Sequence, residues 1–172
     1  MPVLYAVACG ATPAAEVAGF VRTVREDGWT VCAILTPSAV RFADVAELEE
    51  ATGFPVRSAY KRPDEPDVLP PADAFVVAPA TFNTVNKFAC GISDTLAAGL
   101  LNEGLGLGRP IVVAPWPNAP LARHPAFRRS LADLRSWGVH VVYDPDRLPG
   151  APGSAPAHLD WTAVRAALPV PG

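Results

Sequence analysis

Residues 74–84 of the chain read AFVVAPATFNT, an apolar run followed by a cluster of hydroxyl and amide side chains. The run Ala74–Ala78 has the length of a strand and does not alternate with polar residues, which is typical of a strand buried on both faces. Residues Asn83–Glu103 then repeat apolar side chains at a helical spacing. A buried strand that leads directly into a helix predicts a parallel α/β sheet.

The same alternation recurs along the chain. Further strands are predicted at Val3–Ala8, Val31–Leu35, Ile111–Ala114 and Val139–Tyr143, with a short edge strand at Pro55–Tyr60. Further helices are predicted at Pro13–Asp27, Ala43–Thr52, His124–Trp137 and His158–Leu168. This order predicts a single flavodoxin-like (Rossmann-like) domain, in which helices cover both faces of a doubly wound parallel sheet.

Composition sets the broad class. The chain has 172 residues, half of them apolar, which suits one domain with a full core and excludes overall disorder. The net charge of −3 argues against a nucleic-acid partner. Many of the 20 prolines fall late in the chain, so we expect the domain to occupy residues 1–148 and a Pro/Gly-rich tail to occupy residues 149–172.

Targeting and metal signals are weak. Residues 1–8 lack the charged start of a signal peptide, and the apolar runs are too short to cross a bilayer, so no membrane partner is expected. Cys9, Cys32 and Cys90 are odd in number and widely spaced. They predict free thiols in a reducing cytoplasm and no metal site.

A parallel sheet binds ligands beyond the carboxyl ends of its strands. The loops expected there are 9–12, 36–42, 79–84 and 115–123. Their hydroxyl groups and helix N-termini suit a phosphate, and they suit helix capping equally well. The GxGxxG pattern of dinucleotide-binding proteins is absent, and the series Gly104, Gly106, Gly108 precedes a strand, so it is interpreted as a helix-ending loop.

Two segments resemble a known family. Pro79–Thr84, with Lys87 and the run Gly91–Leu96 after it, resembles the Pro-Ala-Ser-Ala-Asn-Thr region of the homo-oligomeric flavin-containing cysteine decarboxylases. That family includes phosphopantothenoylcysteine decarboxylase and the lantibiotic peptidyl-cysteine decarboxylases. Pro115–Ala122 lies over a second family signature, Pro-Ala-Met-Asn-x-x-Met-Trp, and the His-Pro-Ala that follows begins at His124.

The resemblance implies an FMN cofactor and the residues around it. It covers roughly residues 3–143. The positions that match the family's flavin-binding loops are Gly10, Ala11, Thr12, Thr36, Ser38, Phe42, Ala80, Thr81, Phe82, Asn83, Thr84 and Trp116. Asn118 matches the asparagine that holds the substrate carboxylate. The resemblance further implies a small-molecule or peptide thiol as substrate, and a homotrimer or an assembly of trimers.

The chain departs from the family at its catalytic position. An essential histidine of the family precedes the strand that leads to Pro79, but residues 60–73 contain none. Asp64, Glu65 and Asp67 lie near that place and are open to two interpretations, a substitute general acid or base and charges on a solvated loop. The family's enethiol-reducing cysteine is also missing from residues 143–172.

Three functions are therefore considered. The first is oxidative decarboxylation of a cysteine-like or peptidyl-cysteine substrate. The second is FMN binding without decarboxylation, as an oxidoreductase or a regulatory subunit. The third is flavin prenyl transfer, which the pattern of Pro79–Leu96 disfavours. FMN binding is common to all three.

Overall fold

The computed structural model describes residues 1–150 and 157–171. In this part of the chain five parallel strands form one sheet in the order β2-β1-β3-β4-β5. The strands are β1 (Val3–Ala8), β2 (Thr30–Leu35), β3 (Ala74–Ala80), β4 (Ile111–Pro115) and β5 (His140–Val141). All residues of β1, β3 and β4 are buried, as unbroken apolar runs require. The predicted parallel α/β fold is confirmed.

Helices cover both faces of this sheet. The described helices are α1 (Val17–Glu26), α2 (Val45–Thr52), α3 (Phe82–Ala89), α4 (Leu96–Gly106), α5 (Ala119–Ala122), α6 (Pro125–Ser136) and α7 (Trp161–Ala166). Short 3-10 turns lie at Thr12–Glu16, Ala39–Arg41 and Pro145–Arg147. Because successive strand residues point to opposite faces, one strand contributes to two core layers.

The two layers are distinct in composition. Leu4 of β1 packs in a cluster with residues of α1, α2 and α7, including Val21 and Val164. Val7 of the same strand faces the other cluster, which holds residues of α3, α4 and α6, including Phe127. Each of these five side chains is at most 1% exposed. Helices thus pack on both faces of the sheet and hold the carboxyl ends of its strands in place.

The prediction of one long helix over Asn83–Glu103 is wrong. The chain leaves α3 at Cys90, and Gly91 adopts a φ of 68°, which a helix cannot contain. Thr95 then caps a new helix by accepting a hydrogen bond from the Ala98 N–H at 3.2 Å. The helical spacing of apolar residues continues across the break and therefore predicted one helix. The backbone conformation is instead set by Gly91 and by the Thr95 cap.

Three other boundaries also differ from the sequence prediction. The expected edge strand at Pro55–Tyr60 is reduced to a single bridge between Ile34 and Arg57, and β5 is shorter than Val139–Tyr143. Gly104 and Gly106 lie inside α4 rather than in a loop. A Cβ on Gly104 would stand 2.4 Å from the ring of Phe75, so this glycine allows α4 to approach the sheet.

Candidate functional site

The carboxyl edge of the sheet carries four loops that meet around β1. β1 lies between β2 and β3, and the chain leaves it towards β2 before it returns to β3. Such a reversal in strand order opens a crevice at the carboxyl ends of the strands. All of the site residues expected from the sequence lie at the carboxyl ends of β1, β2, β3 and β4 or in the segments that follow them.

The loop after β1 is held by backbone hydrogen bonds. The Cys9 N–H donates to the Pro79 carbonyl at 3.0 Å, and the Ala11 N–H donates to the Cys9 carbonyl at 2.8 Å. The N–H groups of Gly10 and Thr12 have no acceptor among the described residues. These two donors therefore remain available to a ligand at the start of the 3-10 turn.

The loop after β2 closes against Gly10. A Cβ placed on Gly10 would stand 2.6 Å from Ser38 Oγ and 2.9 Å from Ser38 Cβ. The Thr36 hydroxyl lies 3.4 Å from the Ser38 hydroxyl, and Thr36 itself is buried. Phe42, beyond the next 3-10 turn, is 39% exposed. The hydroxyl groups of Thr36 and Ser38 thus form a polar side of the crevice, and they lie so close to β1 that only glycine fits at position 10.

The loop after β3 leads into α3. Thr81 is the N-cap, and its hydroxyl accepts a long hydrogen bond of 3.4 Å from the Thr84 N–H. Phe82 and Asn83 occupy the first turn of α3, where backbone N–H groups have no partner within the helix. Asn83 is exposed, so its side chain is free to meet a ligand. The helix start combines free donors with the positive end of the helix dipole.

Two residues of this loop have structural tasks. The ring of Phe82 stacks on Phe127 at 5.9 Å and meets His124 edge-on at 5.6 Å. Its side chain therefore packs against α6, and only its backbone remains for a ligand. Ala80 is fully buried, and its carbonyl accepts a hydrogen bond from the Trp116 N–H at 2.7 Å.

Cys9 lies under the start of α3 and was not identified from the sequence as a site residue. It is completely buried. Burial raises the pKa of its thiol, while hydrogen bonds with Thr84 and Thr81 act in the opposite direction. Cys9 is therefore a neutral thiol buried beside the start of α3.

Trp116 follows β4 and carries an unpartnered polar atom. Its side chain is 8% exposed, and its Nε1 has no hydrogen-bond partner among the described residues. Trp116 also borders a cavity of about 150 Å³ that Tyr143, Arg147 and His158 help to line. An orphaned buried donor costs stability unless a ligand or water satisfies it, which is a common mark of a binding site.

Asn118 has two functions available to it. Its Oδ1 accepts a hydrogen bond from the Leu121 N–H at 3.0 Å and so caps α5. Asn118 is exposed, and its Nδ2 has no partner in the described part of the chain. The cap orients the amide, and the two N–H donors remain free for an anion such as a carboxylate.

The acidic residues of loop 60–73 lie on a solvated surface. Asp64 pairs with Arg62 at 3.3 Å, and Asp67 pairs with Lys61 at 3.0 Å. The side chains of these two carboxylates are 73% and 81% exposed. Glu65 accepts from the Arg62 backbone N–H at 3.0 Å. Because none of the three is buried, the geometry favours solvated charges over a substitute general acid.

The histidines are structural or peripheral. His124 caps α6 by accepting a hydrogen bond at Nδ1 from the Ala126 N–H at 3.1 Å. His140 is exposed on β5, and His158 borders the cavity beside Trp116. Among the described residues, no group of three or more His, Cys, Asp or Glu side chains is arranged to hold a metal ion.

The crevice fits a flavin with a terminal phosphate. Free backbone donors of the loop after β1 and of the α3 N-terminus lie at the same edge of the sheet, where Ser38 leaves no room for a Cβ at Gly10. Backbone donors at a helix start are the usual ligands of a phosphate group. A partly exposed aromatic residue, Phe42, and the unpartnered Nε1 of Trp116 offer apolar and polar contacts to a larger ring system.

Comparison with known proteins identifies the fold and its family. The family model described as Flavoprotein matches residues 2–160. The chain belongs to the Flavoprotein family. The chain is also similar to a solved structure, the FMN-dependent cysteine decarboxylase TvaF from thioviridamide biosynthesis. The TM-score is 0.73 at 26% identity, over 83% of this chain and 90% of TvaF.

The chain matches parts of two longer curated relatives. A "Cysteine/Cysteine sulfinic acid decarboxylase" from an unknown prokaryotic organism is 39% identical over 71 residues, or 41% of this chain and 19% of the relative. The "Coenzyme A biosynthesis bifunctional protein CoaBC" of Mycobacterium tuberculosis is 36% identical over 141 residues, or 78% of this chain and 33% of the relative. This Flavoprotein thus spans a fifth to a third of these two relatives. Of the helices described, none is long and apolar enough to cross a membrane.

Proposed function

We propose that this chain binds FMN in the crevice at the carboxyl edge of its sheet. The observation that carries the proposal is the contact between the Gly10 and Ser38 loops, next to free backbone donors and the start of α3. The phosphate would be held by the N–H groups of residues 10–12, by Ser38 and by the first turn of α3. Family membership supports the same cofactor, since relatives such as TvaF are described as FMN-dependent.

The remaining site residues would contact the rest of the cofactor. The polar side chains of Thr81 and Asn83 would contact the ribityl chain. The Thr36 hydroxyl lies beside the Ser38 hydroxyl and would help to hold it in position. Phe42 and Trp116 would border the isoalloxazine ring. Ala80 and Phe82 would contribute backbone only, because the side chain of Ala80 is buried and that of Phe82 packs on α6.

The reaction proposed is oxidative decarboxylation of a small-molecule or peptide thiol that ends in a cysteine-like carboxylate. When bound, FMN supplies the two-electron oxidation that turns such a thiol into a thioaldehyde, from which CO₂ can leave. Asn118 would bind the substrate carboxylate through its free Nδ2, while its Oδ1 remains on the α5 cap. The buried ring of Trp116 would exclude water from one side of the reacting group.

A second candidate function is FMN binding without decarboxylation. It is favoured by loop 60–73, which has no histidine and whose Asp64 and Asp67 carboxylates are exposed and paired with basic groups. In that case the chain would be an oxidoreductase for another substrate or a flavin-binding subunit. The two candidates share the cofactor and differ in the need for a proton-transfer group beside the substrate.

Assembly and location are part of the proposal. By similarity to the family we propose a homotrimer, which light scattering of the purified protein tests. Its three cysteines are free, with Cys9 and Cys32 buried and Cys90 exposed, which suits the cytoplasm. We further propose that residues 1–148 form the flavin-binding domain and residues 149–172 a C-terminal segment.

The decisive experiment separates cofactor from reaction. The purified protein is mixed with FMN, and the flavin bands are recorded after gel filtration. Retained flavin supports the site, and its absence at saturating FMN overturns it. The FMN-loaded protein is then incubated with peptides that have a C-terminal cysteine and with phosphopantothenoylcysteine, and the product masses are measured by mass spectrometry. Loss of CO₂ from one of them supports the first function, and loss from none supports the second.

A further inference from the structure

The C-terminal helix α7 is tied to α1 by three contacts. Trp161 Nε1 donates a hydrogen bond of 2.7 Å to a carboxylate oxygen of Glu16, and its ring packs on Phe20 at 5.0 Å. Arg165 forms two hydrogen bonds with Asp27, one of them 2.7 Å long. Val164, between these anchors, is completely buried. Helix α7 is thus part of the layer that covers this face of the sheet.

The two polar anchors of α7 reach different parts of the fold. Arg165 is bound to Asp27, the C-cap at the far end of α1. Trp161 is bound to Glu16, which is the last residue of the 3-10 turn that begins at Thr12. Within that turn the Ala14 N–H donates to the Ala11 carbonyl at 2.9 Å. Glu16 thus ends the same short 3-10 turn that begins at residues 11 and 12.

We propose that Trp161 is a positioning residue for the phosphate end of the cofactor site. By holding Glu16, it fixes the orientation of the turn whose first N–H groups face the crevice. It also directs the Glu16 carboxylate onto an indole donor, away from a neighbouring anion, which like charges would otherwise repel. This inference rests on the proposed binding of a flavin phosphate to residues 10–12.

A comparison of FMN with riboflavin tests it, since the two differ only in the phosphate. Trp161→Phe keeps an aromatic ring on Phe20 and removes the Nε1 donor. We expect its dissociation constant for FMN to rise roughly fivefold, the scale of one ordinary hydrogen bond at an exposed position. Its dissociation constant for riboflavin should stay unchanged. Arg165→Gln is the matched control, because it removes the other anchor, and both constants should stay at the wild-type values.

A double-mutant cycle locates the effect at Glu16. Glu16→Ala removes the acceptor together with its negative charge, so it reports on the loss of the anchor alone. A weaker affinity for FMN but not for riboflavin is expected there as well, and this variant serves if Trp161→Phe fails to fold. In the Glu16→Ala background, Trp161→Phe should cause no further loss of FMN affinity, because the two residues act through one bond. Fluorescence quenching of each flavin during titration gives all of these constants.

The outcomes are distinct. A loss confined to FMN in Trp161→Phe, absent in Arg165→Gln, supports the proposal. Equal losses for FMN and riboflavin, or equal losses in both variants, would show that α7 only stabilises the fold and would overturn it. Unchanged affinity in Trp161→Phe also overturns it while leaving the proposed function intact. If the wild-type protein binds neither flavin, the proposed function itself fails.

Discussion

Ser38 Oγ lies 2.6 Å from the point where a Cβ on Gly10 would stand, so the loops after β1 and β2 pack too closely there for any side chain at position 10. Real Cβ atoms do not approach a neighbour this closely, and Gly10→Ala must displace the Ser38 loop. We expect FMN affinity to fall by about tenfold or more, the scale of one misplaced contact in a site that depends on orientation. Flavin titration measures it.

Gly19→Ala is the control for that substitution. Gly19 lies in α1, and a Cβ there would meet nothing within 4 Å. Alanine should therefore stabilise the protein by roughly 0.5–1 kcal/mol and leave FMN affinity unchanged. If Gly10→Ala bound FMN as tightly as Gly19→Ala does, the Gly10–Ser38 contact would have no part in cofactor binding.

Asn118 is best tested by Asn118→Asp. Aspartate keeps the oxygen that caps α5 but removes both Nδ2 donors and places a negative charge beside the proposed substrate carboxylate. Bound flavin and the melting temperature should stay unchanged, while kcat/KM for decarboxylation should fall on the order of 100-fold. Fixed-time assays of decarboxylation with the most active peptide measure kcat/KM. Wild-type turnover in Asn118→Asp would mean that another group holds the carboxylate.

The three cysteines should differ in reactivity. Cys9 and Cys32 are completely buried, and burial raises the pKa of Cys32 from 9.0 to about 11. Cys90 is exposed after α3. Because the thiolate is the reacting form, a chromogenic disulfide at pH 8 should label one thiol rapidly in the native protein and all three after denaturation. In Cys90→Ser the rapid phase should vanish, and a persisting rapid phase would place Cys9 or Cys32 within reach of solvent.

Tyr5 gives the protein a stability limit in alkali. Its side chain is 7% exposed, its hydroxyl donates to the Pro70 carbonyl at 2.8 Å, and its pKa is raised from 10.0 to about 12, chiefly by burial. The folded state therefore favours the neutral phenol. This stabilisation is complete below pH 10 and is lost as the pH rises towards 12.

Tyr5→Phe removes that dependence. The variant should be less stable than the wild type at pH 7 by about 1 kcal/mol, because the hydrogen bond to Pro70 is lost. Between pH 10 and 12, however, its free energy of unfolding should fall less steeply than that of the wild type. Urea unfolding across this range measures both slopes. Parallel slopes would show that Tyr5 does not ionise on unfolding.

Local signals were sufficient to predict the sheet. Strands such as β1 and β3 are unbroken apolar runs, and such runs become buried wherever helices cover both faces of a sheet. The positions of the loops followed, because parallel strands place their carboxyl ends at one edge. The residues of the crevice could therefore be named from their order along the chain, while their roles came from resemblance to a family.

Long-range features were beyond such signals. Spacing of apolar residues could not reveal the end of α3, which depends on the positive φ of Gly91 and the cap at Thr95. The unpartnered Nε1 of Trp116 depends on what packs around it in three dimensions. Cys9 was expected only as the start of the loop after the first strand, because its contact with Thr81 and Thr84 joins positions far apart in the sequence. The glycine and the cap decided the first of these and three-dimensional packing decided the other two, and the spacing of apolar residues records neither.

The hydrogen bond between Glu16 and Trp161 also has a consequence in time. The two residues are 145 positions apart, so during synthesis the turn at Thr12–Glu16 emerges long before its indole partner exists. Domains form contacts of such separation late, since the intervening chain must first be made and ordered. On the ribosome the nascent chain therefore passes through a stage in which the sheet can form but its first loop is still unbraced.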